Sequence, residues 1–106
     1  MDDLLTHETF SRNIKTKFQV QVDETNYVDL ELAQASELKI SPHQEEFSIV
    51  FVGPVEIFLG QGVRSFKHDQ MGQFELFIVP IAQDEKGFHY EAVFNRVRAA
   101  TPTTAR

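Results

Sequence analysis

The amino-acid sequence predicts a mainly β fold: a small antiparallel barrel or two-layer sandwich of about six strands, with one short N-terminal helix. Three observations carry this. First, apolar residues alternate with polar ones over residues 17–22 and 28–32, the period of a half-buried strand. Second, Phe74–Ile81 and Phe88–Asn95 both read as strands, and the residues between them, ending in Gly87, read as a hairpin loop. Third, ten Phe and no Trp in 106 residues specify one aromatic core, the size of a single domain.

Taken in order, Leu5-Thr6-His7-Glu8-Thr9-Phe10 starts a helix. Thr6 can cap it, Glu8 suits the positive first turn, and Leu5 with Phe10 fits the apolar pair that brackets a helix start. The helix should be short and should lie across the sheet or plug one end. Phe18, Val20 and Val22 then mark a first strand, and Val28, Leu30 and Leu32 a second, with Asp23–Asn26 as the turn. Residues 37–45, broken by Ser41-Pro42-His43, read as a loop. Phe47–Val52 is a third strand, ended by Gly53-Pro54. Residues 55–59 form a short apolar stretch of open type, closed by Gly60-Gln61-Gly62. Val63–His68 is a fourth strand, followed by a turn with Gly72 free to take positive φ. One domain is expected over residues 1–98, with Ala99–Arg106 as a frayed tail.

Side chains alternate across a strand. In the last hairpin, Phe74, Leu76, Ile78 and Pro80 share a face with Phe88, Tyr90, Ala92 and Phe94, which is core. The opposite face should be polar if solvated, yet it carries Phe77, Val79, Ile81 and Val93, with Val50 and Val52 from the third strand. These six form a possible interaction face. A patch of this kind needs a cover. The helix, the 54–62 segment and another protein chain are the three available, and the chain's own two segments are the simpler expectation. Pro80 cannot donate to a ladder, so it belongs at an edge or bulge, with one side of that strand end left free.

The chemistry-bearing residues are sparse. His89, Glu91 and Glu75 could be drawn as a polar or metal site near one strand end, but residues of this kind more commonly solvate a sheet, and no metal is expected. His68-Asp69 reads as a turn-capping pair. Gly60-Gln61-Gly62 lacks the Lys of a phosphate loop, and no Ser lies in a nucleophile elbow. Without Cys there is no disulfide, thiolate site or Cys nucleophile. The net charge of −6 and the scattered cations argue against nucleic-acid binding. No apolar run approaches the roughly eighteen residues that span a bilayer, and Met1–Leu5 lacks signal-peptide character. The sequence therefore leads to expectations of a cytoplasmic protein with no cofactor, no membrane and no enzymatic activity. Its partner would be another protein or a second copy.

The order Leu-Thr-His-Glu-Thr-Phe (5–10), Phe-Ser-Ile-Val-Phe-Val-Gly-Pro (47–54), Gln61-Gly62 with His68 and Gly72, Phe-Glu-Leu-Phe-Ile-Val-Pro-Ile (74–81) and Tyr-Glu-Ala-Val-Phe-Asn (90–95) resembles a family of small uncharacterised bacterial domains, a domain of unknown function. The resemblance covers residues 4–95. It brings no assigned activity, so it transfers no catalytic residue. It implies a setting near phage tail-collar-like genes. The function expected is a non-catalytic structural or protein-interaction module, possible as an accessory of a phage-tail-like assembly. The alternatives are a barrel that binds a small apolar ligand and, less favoured, a metal-dependent enzyme.

Overall fold

A computed structural model describes residues 5–97; the expected tail at 99–106 lies outside the described residues. One helix, α1 (His7–Arg12), precedes seven strands: β1 (Lys17–Gln21), β2 (Tyr27–Ala35), β3 (Lys39–Ile40), β4 (Gln44–Gly53), β5 (Gly62–His68), β6 (Gly72–Asp84) and β7 (Gly87–Val97). All pairings are antiparallel. Around the molecule the order is β2-β1-β5-β6-β7-β4, and pairing of β2 with β4 closes six strands into a barrel. Of the two architectures the sequence allowed, the barrel is the one formed.

The alternation seen in sequence sets which residues point inward. Phe18 and Val20 from β1, Leu30 and Leu32 from β2, Ile49 and Phe51 from β4, Phe66 from β5, Ile78 from β6 and Tyr90 from β7 are all buried in one core. Rings fill its centre: Phe51 lies 5.3 Å from Phe18 and 5.1 Å from Phe66, centroid to centroid. Phe74, Phe88 and Phe94 face inward as expected but only half-buried, because they sit nearer the barrel ends.

Each end is plugged by the chain. Thr6 caps α1, accepting the Thr9 N–H at 3.1 Å, and the helix carries Phe10 into the core against Phe18, Phe47, Phe74 and Phe94. A six-residue helix is far too short to hold itself together in water; this side chain is its anchor. The β6–β7 ladder runs only from Val79–Glu91 to Asp84–Gly87. Residues 72–78 pair with β5 alone, and 92–97 with β4 alone. Phe10 thus sits with one ring from each strand, Phe74 and Phe94, where β6 and β7 part. At the other end, Leu59 is buried and donates its N–H to the Tyr90 hydroxyl at 2.9 Å.

His68 ties the helix to the β5–β6 turn. Its Nδ1 accepts the N–H groups of Gln70 at 3.1 Å and Met71 at 3.2 Å. The proton therefore lies on Nε2, which donates to the Thr16 hydroxyl at 2.9 Å, and Thr16 in turn donates to the Asn13 carbonyl at 2.6 Å. Burial pushes the His68 pKa down, against the opposing pull of Asp69. The turn-capping role expected of His68-Asp69 is carried by the imidazole.

Several expectations need correction. Residues 37–45 are not simply a loop: β3 continues β2 along β4, pairing Lys39 with Glu46 and Ile40 with Glu45. Ser36 bridges the two strands, its hydroxyl accepting the Ser48 N–H at 2.9 Å and its own N–H donating to the Ser48 carbonyl at 2.8 Å. The last hairpin is tighter than expected. Its strands extend to Asp84 and Gly87, leaving Glu85 and Lys86 as the turn, because Asp84 accepts the Lys86 N–H at 2.8 Å and Gly87 takes a φ of 136°. Pro80 meets both of its allowed settings. The register shifts between Pro80 and Ala82, and beyond Ile78 that strand has no ladder with β5.

The largest correction concerns the second face. α1 and residues 54–61 send Phe10 and Leu59 into the core at the barrel ends, while Phe77, Ile81 and Val93 on the outer surface stay exposed.

Candidate interaction face

The outer surface of β4, β6 and β7 is organised by cross-strand rows. One row runs Gln34, Val50, Glu91, Val79. The next holds Glu31, Val52, His89 and Ala82. Phe77 and Val93 lie two residues along from Val79 and Glu91, in the same direction. Phe77 pairs across the β5–β6 ladder with Val63. These residues face outward because their neighbours in sequence, such as Leu76, Ile78 and Ala92, are committed to the core.

Exposure divides the six predicted residues. Val93 is 67% exposed, Phe77 51% and Ile81 50%. Val52 and Val79 are half-buried. Val50 is 8% exposed, closed in on a central strand between β2 and β7, and cannot contribute much to a contact. Sequence reasoning missed Val63, which is 62% exposed. A signal was available: the turn after His68 fixes a register that sets Val63 opposite Phe77. Ile81 is the extra residue at the Pro80 bulge.

The polar candidates do not converge. His89 Nε2 lies 3.0 Å from Asp84 Oδ2, and that bond, followed by the Lys86 N–H, holds the Asp84 carboxyl below its usual range. Glu91 sits on β7 between Val50 and Val79. Glu75 sits on β6 opposite Ser65. Among the described residues no three His, Asp or Glu groups come together as a metal site would need. An open groove of about 240 Å³ borders the face, lined by Ser36, Glu37, Lys39, Glu46, Glu91 and Val93 among others. None of the described helices is long and apolar enough to cross a membrane.

The molecule is thus a small closed antiparallel barrel that exposes Val63, Phe77 and Val93 on its outer surface, with Glu75 and Glu91 on the same strands as the last two. Residues 5–94 match the family described as Domain of unknown function (DUF6916), and the chain belongs to that family. No curated protein and no solved structure matches it.

Proposed function

We propose that this chain is a non-catalytic protein-interaction module, an accessory of a phage-tail-like assembly, and that its partner docks on the face around Phe77 and Val93. The observation that carries this is the exposure of Val63 and Phe77, paired across β5 and β6, and of Val93 on β7, on the outside of a barrel whose interior is packed with aromatic rings. Burying apolar surface is worth about 25 cal/mol per Å², and a fixed strand surface loses little conformational entropy when it docks. The interaction role rests on this face; the phage-tail setting rests on the resemblance of the sequence. The wholly buried Phe18, Phe51, Phe66 and Tyr90 act as core, which favours binding on the outside of the barrel over a ligand within it. The engagement of His89 by Asp84 favours a structural role for that histidine.

The test is light scattering of the purified chain, alone and mixed with the products of neighbouring genes. One of them should form a stable complex. Phe77→Ser should abolish it while lowering the chain's own stability by only about 1–2 kcal/mol, since half of the ring is already exposed. A chain that stays monomeric with every neighbour refutes the proposal.

A further inference from the structure

We infer that the docking partner presents apolar side chains flanked by Arg or Lys, and is not a second copy of this chain. This rests on the interaction role proposed above and names the chemistry of the partner.

The argument is charge complementarity. Glu75 and Glu91 stand on the same strands as Phe77 and Val93, and Glu37 and Glu46 line the adjoining groove. Among the described residues the one cation lining that groove is Lys39, which stands opposite Glu46 and not Glu91. The ion pairs among the described residues are Arg12–Glu8 and His89–Asp84, so none of these four carboxylates is in one. Glu91 is the telling case. It is half-buried in a row of valines, with Val50 on one side and Val79 on the other. An apolar cover that matched the valines alone would strip water from an unpaired carboxylate, which costs several kcal/mol. A cover bringing a guanidinium or ammonium group would satisfy it. The groove of about 240 Å³ beside Glu91 has room for such a side chain.

A second copy fails on the same ground. Two chains of net charge −6 would bring their carboxylate-bearing faces together, and like-charge contacts of this kind oppose association.

The experiment uses the full chain, ¹⁵N-labelled, with three synthetic dodecapeptides of alternating Val-Arg, Val-Gln and Val-Glu. The Val-Arg peptide should shift amide signals of Phe77, Glu91 and Val93. Its affinity should fall roughly tenfold or more between 50 and 300 mM salt. It should fall by a similar factor in the isosteric double variant Glu75→Gln/Glu91→Gln, whose fold is checked by its own spectrum. The Val-Glu peptide should not bind. If Val-Gln binds this face as tightly as Val-Arg, the inferred chemistry is wrong while the docking role survives. If the peptides shift signals only elsewhere, or none, both fall. Light scattering that shows a dimer lost on Phe77→Ser would overturn the inference in favour of a second copy.

Discussion

Phe10→Ala is the sharpest probe of how this barrel is closed. The side chain is 0% exposed and meets four rings, those of Phe18, Phe47, Phe74 and Phe94, at centroid distances of 5.4–6.5 Å. Truncating a core Phe costs about 3–5 kcal/mol through lost burial and the cavity left behind. The total for a domain of this size is only about 5–15 kcal/mol. The upper half of the range is expected, because α1 has no other fully buried side chain to hold it in place. Detaching it would also open the place where β6 and β7 diverge. Urea unfolding at neutral pH measures the loss. Arg12→Ala is the control on the same helix: its ion pair with Glu8, at 3.4 Å, has both side chains mostly exposed and should be worth less than about 1 kcal/mol. A Phe10→Ala loss under about 1 kcal/mol, or one no larger than that of Arg12→Ala, would refute the plug.

Other outcomes follow from single contacts. Tyr90→Phe removes the hydroxyl that accepts the Leu59 N–H; a buried donor left without a partner should cost about 1–3 kcal/mol in a thermal melt, and an unchanged melt would deny its part in closing that end. Gly87→Ala places a Cβ 1.9 Å from the Gly53 carbonyl oxygen at a φ of 136°; backbone strain alone should cost about 1–3 kcal/mol, and chemical melts showing under half of that would contradict the close approach. His68 is depressed in the fold, so the unfolded chain takes up its proton first. Stability should hold above the ordinary histidine pKa of about 6.5 and fall as pH drops below it towards the lower folded value. His68→Asn, whose Oδ1 can still accept the turn N–H groups, should flatten that part of the stability–pH curve; an unaltered curve would remove the imidazole as its cause.

The strands and the helix were legible because their signals are local. Alternation marks Phe18–Val20 and Val28–Leu32, and Thr6 followed by Phe10 marks the helix and its anchor. What escaped was set by distant contacts or by polar residues in ordered places. Closure of the barrel depends on β2 meeting β4, which no short pattern encodes. Gln83 and Asp84 look like loop residues, yet they extend β6 because the turn that follows is only Glu85-Lys86. Lys39 and Ile40 are strand only because β4 lies beside them. The candidate face was readable as a list of outward apolar residues. Their exposure was not, because it depends on where α1 and Leu59 are used and on how centrally Val50 is flanked.

The β4–β7 ladder is the longest in the molecule, running from Gln44–Val97 to Gly53–Phe88, and β5 and β6 are made between its two partners. A pairing so remote along the chain pays its loop-closure entropy before it gains anything, so folding should be slow for the chain's length. During synthesis, β4 must wait with one edge unpaired until β7 has emerged. Over that interval Phe47, Ile49 and Phe51 would be accessible to chaperones or to aggregation.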